Sequence, residues 1–312
     1  VGGSVGQVGP SAQIGGGLAS VFADIFKFDD RDRKKLVICG ISAGFASVFG
    51  TPIAGALFGV EVLFVGSILY DVLLPSFVAG VTSYHISNAL GISYFYHPLH
   101  FVPQFNEFFF IQVCFAGVFF GICAFLLIEI LRIGKILSEK VKLWTPLKGL
   151  IGGAVLVVLS LLVSKQYLGL GLDAIEACLQ GQVMPGYAPF MKMIFTSLTL
   201  NFGGSGGIVT PIFFVGSSAG SLFAGFMGLD RATLSAIGFV AVLAGAANTP
   251  IAASVMAIEI FGPQIAPYAA VACVISFLMT GHRSVYDSQI LAIKKTPSVD
   301  VSLGKKIGRA HV

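Results

Sequence analysis

The chain has 312 residues, of which 55% are hydrophobic and only 11% are charged, and its mean hydropathy is +0.90. Soluble domains carry about 25% charged residues, so this composition excludes an ordinary soluble protein and indicates a lipid bilayer as the natural solvent. The net charge is +4, without a basic face of spaced aromatic residues, so no nucleic-acid partner is expected.

The basic residues are unevenly distributed along the chain. They cluster at 27–35, at 132–148 and after His282, whereas the segment 91–107 contains no Lys or Arg. Because cytoplasmic loops of membrane proteins are enriched in Lys and Arg, we expect the first three regions to face the cytoplasm and the last to face outward. The sequence therefore predicts a multi-pass integral protein of the cell membrane (plasma or inner membrane), surrounded by the lipid bilayer.

The predicted fold class is an all-α polytopic membrane bundle. The segments 52–64 and 250–261 are too short to cross a hydrocarbon core of about 30 Å, so we expect them to be re-entrant or broken helices. Non-helical backbone at that depth occurs where it lines a cavity or is buried in protein. In chain order, hydropathy and Gly/Pro punctuation predict helices at 10–26, 33–49, 52–64, 73–90, 108–138, 145–164, 172–180, 188–200, 210–227, 231–247, 250–261 and 265–280.

The two short segments repeat one another. TPIAGALFGVEV (51–62) aligns without gaps to TPIAASVMAIEI (249–260), and each copy has a glutamate near its end, Glu61 or Glu259. Upstream of each lies a glycine-rich turn into a helix, GQVGPSAQIGGG in the first copy and GGSGGIVTPIFFVG in the second. Interrupted hydrophobic segments at corresponding places of two halves are typical of a transporter whose binding site lies at the repeat interface.

Both glycine-rich turns predict the start of a helix. Proline is favoured in the first turn of a helix, so Pro10 and Pro211 each mark an N-terminus. The first turn leaves amide N–H groups unpaired and carries partial positive charge. Two such ends that meet within the membrane form an anion site without a full cationic charge. Such a site lets an anion enter and leave, whereas a buried lysine would hold it too tightly.

Few carboxylates lie in the apolar segments, chiefly Glu61, Glu129 and Glu259. A cation pore would need carboxylates or carbonyl rings along its path, and acids within the membrane are candidates for function. Because Glu61 and Glu259 occupy equivalent ends of the two repeats, we favour a shared structural or capping role for them.

The sequence gives little support for a metal site, a disulfide or a catalytic site. The five cysteines are scattered through apolar segments without a Cys-x-x-Cys pair, which favours small buried side chains. The HPLH segment (97–100) has no further ligands nearby, so no metal or other cofactor is expected. An intramembrane enzyme would need a nucleophile–base pair or a metal cluster at membrane depth, and since the sequence suggests neither, we do not expect an enzyme.

These motifs resemble those of the CLC family of chloride channels and chloride/proton antiporters. GQVGPSAQ (6–13) matches the family's G-[KR]-E-G-P-x-x-[QH] at its glycines, proline and final glutamine. GGIVTP (206–211) matches G-x-F-x-P, with Val209 at the Phe position. The two TPIA segments match membrane helices of the family, and GHRSVYDSQI (281–290) matches the segment with a pore tyrosine, here Tyr286. The four motifs occur in the family's order over nearly the whole chain.

The resemblance implies a homodimer of inverted repeats, with one pore in each subunit and chloride as the transported ligand. Amides of the second glycine-rich turn and the hydroxyl of the pore tyrosine would bind a central chloride, and the backbone of the first turn would line an outer site. The family's further ligand, a serine in a G-S-G-I-P motif, does not occur, so we expect an N-terminally truncated fragment. The implied chloride-binding residues are Val8, Gly9, Gly207, Ile208, Val209 and Tyr286.

Two valines determine whether we expect a passive channel or a proton-coupled antiporter. In the family, the first turn carries a glutamate that gates the pore and shuttles protons, and this position is Val8. A second, inner glutamate of the antiporters falls at Val62, immediately after Glu61. Because valine cannot titrate, the resemblance implies a chloride channel that conducts passively and is uncoupled from protons. The alternatives are an antiporter whose proton path has moved, for instance onto Glu61, and a non-conducting relative.

The predicted domain organisation has five parts. The tail IGRAHV is expected to be a sequencing-adapter artefact, because a common adapter sequence translates to these six residues. The parts are the later part of the first inverted repeat (1–90), an extracellular loop (91–107), the second inverted repeat (108–281), a C-terminal pore-tyrosine helix with a cytoplasmic tail (282–306) and the tail artefact (307–312).

Overall fold

A computed structural model describes residues 2–92, 94, 97–99, 106–295 and 303–307. Each of the twelve predicted segments corresponds to a helix. The helices are α1 (Val8–Ile25), α2 (Asp30–Phe49), α3 (Pro52–Glu61), α4 (Tyr70–Ala89), α5 (Glu107–Lys140), α6 (Thr145–Leu162), α7 (Leu172–Leu179), α8 (Ala188–Asn201), α9 (Val209–Met227), α10 (Arg231–Ala247), α11 (Pro250–Phe261) and α12 (Ala266–Met279).

The all-α membrane fold predicted from the sequence is confirmed. Three helices, α5, α6 and α9, are both long and apolar enough to cross a bilayer. The shorter helices α3 and α11 have 10 and 12 residues, or about 15 and 18 Å at 1.5 Å per residue, and cannot cross it alone. The protein is therefore an integral membrane protein that combines full spans with partial ones.

Helix α3 ends earlier than predicted, at Glu61 rather than at residue 64. The residues that follow form a short strand, β1 (Phe64–Val65), which pairs in parallel with β2 (Ile290–Leu291). The N–H of Ile290 also donates to the carbonyl of Leu63 at 3.0 Å. This pairing with a segment far away in the sequence takes the backbone groups that would have continued the helix.

The expectation of a pore-tyrosine helix within 282–306 is wrong for the residues that the structure describes there. Residues 282–289 form turns and irregular backbone, and the chain then enters β2. The N–H of Val285 donates to the carbonyl of Ala246 at 2.9 Å, and that of Ala292 to the carbonyl of Val65 at 3.1 Å. Since the backbone donors bond to other elements, no intrahelical ladder forms.

The internal repeat is visible in the closest helix contacts. Helices α1–α4 of the first copy correspond to α9–α12 of the second. A Cβ at Gly15 would overlap the carbonyl oxygen of Gly40, and a Cβ at Gly216 would overlap that of Gly238. These two pairs occupy equivalent positions in α1–α2 and α9–α10. The sequence repeat is therefore also a repeat of backbone packing that only glycine allows.

Helix α10 is buried along almost its whole length, with α9, α5, α11 and α12 packed around it. Helix α6 differs, since only 17% of its apolar stretch is buried inside the protein. The core thus lies within the second repeat, and α6 presents an apolar face to lipid.

Ion pairs connect regions that the charge distribution places on the cytoplasmic side. Lys135 Nζ of α5 lies 2.7 Å from a carboxylate oxygen of Asp287. Arg283 Nε lies 2.9 Å from Glu129 Oε1, also in α5. The second and third basic regions therefore meet at one end of the bundle, as the positive-inside rule predicts.

Several sequence-based expectations fall on residues outside the described part of the chain. His100 of the HPLH segment is one of these, as is most of the loop predicted at 91–107. Residues 308–312 of the tail lie outside it as well. Ile307 is described, and it packs in a small cluster with Val65 and Leu291. The predicted boundaries of the five parts stay predictions.

Candidate functional site

The two glycine-rich turns touch each other. Gly6 and Gly207 form an antiparallel bridge in which each N–H donates to the other's carbonyl, at 2.6 and 2.7 Å. A Cβ at Gly9 would lie only 2.8 Å from the Cα of Gly207. The N-termini of α1 and α9 therefore meet backbone to backbone, at the interface between the repeats.

Both helices begin in the same way. Helix α1 starts at Val8 and α9 at Val209, each two residues before its proline. The N-cap residues Gln7 and Ile208 have nearly identical backbone angles, φ −96° with ψ −13° and φ −96° with ψ −17°. Neither end has a side-chain cap. Helix starts without such caps leave their first amides available to an external partner.

The first amides at these ends have no hydrogen-bond partner among the described residues. The first intrahelical bonds run from Ser11 N–H to the Gln7 carbonyl and from Ile212 N–H to the Ile208 carbonyl. The N–H groups before them make no hydrogen bond to a described residue. These donors include those of Val8, Gly9, Ile208, Val209 and Thr210. Together with the positive ends of two helix dipoles, they form an uncharged donor set suited to an anion.

Gly207, which the resemblance placed among the chloride ligands, has a structural role in the contact between the two turns. Its N–H donates to the carbonyl of Gly6 at 2.7 Å, so this amide is not free to bind an anion. A Cβ here would lie 2.6 Å from the backbone nitrogen of Gly9. The residue therefore allows the two turns to approach each other, and the free donors lie after it.

Helix α8 binds both turns, the first through two threonine hydroxyl groups that sequence reasoning missed and the second through a backbone carbonyl. Ser4 is buried, and its N–H donates to Thr199 Oγ1 at 3.0 Å while its hydroxyl lies 3.1 Å from that of Thr196. The N–H of Gly204, in the second turn, donates to the carbonyl of Thr199 at 2.8 Å. The sequence signal was two threonines three residues apart in an apolar helix, which places both on one face.

The two valine positions are buried and apolar. Val8 is 1% exposed at the start of α1, and Val62 is 7% exposed at the C-cap of α3. The carbonyl of Val62 accepts a hydrogen bond from Gln289 Nε2 at 2.6 Å, so its backbone is structurally engaged. Neither side chain can take up a proton.

Tyr286 lies in the irregular segment after α12. Its N–H donates to Ser284 Oγ at 3.0 Å, and its ring packs against the main hydrophobic core. Its hydroxyl makes no hydrogen bond to a described residue. A hydroxyl group of this kind can donate a hydrogen bond to an anion.

A cavity of about 490 Å³ connects this region to the charged end of the bundle. Ile208, the N-cap of α9, lines it together with Ser284, Val285 and Asp287, the neighbours of Tyr286. The segment with the predicted pore tyrosine and the start of α9 thus share one cavity. Its charged lining consists of Glu129, Arg132, Lys135, Glu139, Arg283 and Asp287.

The two repeat-equivalent glutamates cap each other's helices. Glu259 accepts hydrogen bonds from the N–H groups of Ile53 and Ala54 at 2.9 and 2.8 Å, at the start of α3. Glu61 does the same at the start of α11, where two N–H groups donate to it at 3.1 and 2.8 Å. Both carboxylates are therefore bound to helix N-termini, where the helix dipole stabilises negative charge.

A methyl group at Gly9 is expected to disrupt the contact between the two helix ends that form the anion site. In Gly9→Ala, the new Cβ meets the backbone of Gly207, so the two helix ends must separate and anion flux should fall by about tenfold. Gly17→Ala is the matched control, because a Cβ at Gly17 of the same helix meets no described atom within 4 Å. Flux measured on reconstituted protein checks this. Equal flux from both variants would show that the close approach of the turns is unimportant.

Comparison with known proteins agrees with this geometry. Residues 1–281 match the family described as voltage gated chloride channel. The chloride/fluoride channel protein of Pseudomonas syringae pv. tomato is 39% identical over 295 residues, which cover 92% of this chain and 65% of that protein. The voltage-gated ClC-type chloride channel ClcB of Escherichia coli O17:K52:H18 is 29% identical, with 91% of this chain and 71% of that protein covered. The chain thus spans about two thirds of the length of these relatives.

Solved structures show the same fold. A CLC-type fluoride/proton antiporter superimposes with a TM-score of 0.88 at 30% identity, covering 92% of this chain and 73% of that one. A slow cyanobacterial Cl−/H+ antiporter superimposes with a TM-score of 0.78 at 19% identity, covering 89% and 68%. Since the family match extends over most of its length, the chain belongs to the voltage gated chloride channel (CLC) family.

Proposed function

We propose that this protein conducts chloride passively across the membrane, through a pore whose anion site is formed by the facing N-termini of α1 and α9. The observation that carries the proposal is the set of free amides at these two ends, in contact through the Gly6–Gly207 bridge. Amide dipoles stabilise an anion that has lost part of its water, yet they hold it weakly enough for release.

The path has an outer, a central and an inner part. The amides of Val8 and Gly9 line the outer part, and those of Ile208 and Val209 line the central part. The hydroxyl of Tyr286 completes the central site from the cytoplasmic side. The cavity that begins at Ile208 then leads to the charged end of the bundle, where Arg132, Lys135 and Arg283 favour the entry of anions.

We also propose that chloride conduction is not coupled to proton movement. A coupled proton path needs ionisable groups across the apolar region, and the two positions that serve this purpose in the family are Val8 and Val62. Glu61, next to the second position, uses both carboxylate oxygens to accept amide N–H groups. Protonating it would turn one acceptor into an O–H that faces an amide donor, which makes it a poor relay.

A second candidate function is proton-coupled transport, or transport of fluoride. Its support is the likeness to a CLC-type fluoride/proton antiporter at 30% identity and to a chloride/fluoride channel protein at 39% identity. In that case the free amides would bind fluoride, and a proton would move along groups other than the two valines.

We further propose that the protein is a homodimer in the cell membrane, with one pore in each subunit, as in the family it belongs to. Large apolar side chains on α4 and α12 are exposed in the single chain, for example Leu74, Val78 and Leu278. They require cover by lipid or by a second copy.

The anion pathway is tested with purified protein in liposomes loaded with potassium chloride or potassium fluoride. A passive anion conductor moves net charge, so efflux should start only when valinomycin lets potassium follow. We expect rapid chloride release on adding valinomycin and slow release before it. No release of either halide would contradict an anion pathway, and release of fluoride alone would support the second candidate.

A further inference from the structure

The segment that carries Tyr286 is held by a buried polar cluster outside the anion site. Its members are Gln289 and Asn248, which are 2% and 1% exposed, together with Lys295. Buried polar groups are costly unless they are hydrogen-bonded, so a satisfied cluster at this place indicates a specific purpose.

Gln289 connects the two repeats with a single side chain. Its Nε2 donates to the carbonyls of Val62 and Ala247, at 2.6 and 2.7 Å. The first carbonyl lies just after α3 of the first repeat, and the second ends α10 of the second repeat. Its Oε1 accepts from Asn248 Nδ2 at 3.0 Å, so both Nε2 protons and the oxygen are used.

The same residue fixes the pore tyrosine through the backbone. The N–H of Gln289 donates to the carbonyl of Tyr286 at 3.1 Å, which closes a turn between them. The carbonyl of Gln289 accepts from the N–H of Ile307 at 2.8 Å. A side chain locked at Gln289 therefore determines where the turn, and with it Tyr286, sits.

Asn248 holds the other end of the segment. It caps α10 in the left-handed conformation, with φ +58°, and its Nδ2 also donates to the carbonyl of Arg283 at 2.9 Å. Its Oδ1 accepts from Lys295 Nζ at 2.5 Å, and the same nitrogen donates to the carbonyl of Phe277 at 2.7 Å, near the end of α12. A donor at this place links the C-terminal ends of α10 and α12, whose last carbonyls lack intrahelical partners.

We propose that Gln289 is a positioning residue for the pore: with Asn248 and Lys295, it holds residues 283–289 so that the Tyr286 hydroxyl faces the anion path. This inference rests on the proposed function. It adds that the rate of anion passage depends on an amide side chain that does not itself touch the anion.

The arrangement requires an amide of this length. Two carbonyls converge on Nε2, so a carboxylate in Gln289→Glu would place a negative oxygen against them. Leucine at the same position would leave those carbonyls without this donor and Asn248 Nδ2 with only one of its two acceptors. Both changes should displace the turn at Tyr286. Only the glutamate variant can be rescued by a proton, because a protonated carboxyl group again donates to one carbonyl.

The test compares Gln289→Glu and Gln289→Leu with Tyr286→Phe, using Gln180→Leu at the exposed end of α7 as the control. Chloride efflux is measured per folded molecule, with the internal pH varied. We expect Gln289→Glu to conduct about tenfold less at neutral pH and to regain flux as the internal pH falls. The original protein and the control should lack this recovery. Adding Tyr286→Phe to Gln289→Glu should lower the flux little further.

Three results would overturn the inference: unchanged flux per folded Gln289→Glu molecule, a loss without recovery in acid, or losses that multiply when the two substitutions are combined. Failure of the proposed function is recognised separately, because then the unsubstituted protein conducts no anion. If the protein conducts no anion, hydrogen exchange still tests the positioning role, since amides of 283–291 should exchange faster in Gln289→Glu than in the control. Unchanged exchange would contradict the positioning role without reference to transport.

Discussion

Replacing Val8 by glutamate is expected to lower passive chloride efflux at neutral pH by about tenfold, with recovery on acidification. The new carboxylate would lie in the first turn of α1, beside the free amides of α1 and α9. An anionic side chain at a helix N-terminus gains up to about 2 kcal/mol in partly buried settings, and 1.4 kcal/mol corresponds to a tenfold change. The tethered carboxylate should therefore occupy the site in place of chloride.

The control for this substitution is Val8→Gln, which has the size of glutamate without its charge. Efflux from liposomes should be measured with both variants between about pH 4 and pH 8, a range that spans the titration of an ordinary carboxyl group. Glutamate should show a steep pH dependence and glutamine a flat one. If both variants conduct equally at every pH, Val8 does not lie on the anion path.

Replacing Glu61 by glutamine is expected to destabilise the fold by about 2 kcal/mol. Hydrogen bonds to charged groups contribute about 1.5–3 kcal/mol, and glutamine keeps one acceptor oxygen while placing an NH₂ group against an amide donor. The carboxylate also loses its interaction with the dipole of α11. Glu259→Gln should act similarly, because that carboxylate binds the start of α3 in the same way.

Thermal unfolding in detergent checks this, with Glu139→Gln as the control, since Glu139 is exposed near the end of α5. The Glu61 variant should unfold at a lower temperature than the control while keeping its anion flux per folded molecule. Unchanged stability together with a loss of proton movement would contradict the capping role and assign a transport role to Glu61.

Local signals in the sequence were sufficient for the helices and for the place of the site. Pro10 and Pro211, with the glycines before them, mark helix starts through their own backbone preferences, without contributions from distant residues. The repeated TPIA segments then predict that the two halves meet. Both helices start two residues before these prolines, because an N–H in the first turn has no intrahelical partner and its absence in proline costs nothing there.

The missed features all depend on contacts between distant residues. The early end of α3 comes from pairing with β2, and the loss of Gly207 as a donor comes from its bridge to Gly6. A structural or capping role was expected for the two glutamates, but which helix each one caps depends on both repeats being in place. Gln289 lies within the segment GHRSVYDSQI, but the sequence assigned it no role, and its role became visible only through the carbonyls around it.

Proton coupling is tested most directly by recording chloride efflux from liposomes and the external pH at the same time. We expect chloride release without proton movement, because Val8 and Val62 cannot carry protons. Protons that move uphill, driven by the chloride gradient, would contradict it and would establish coupled exchange instead.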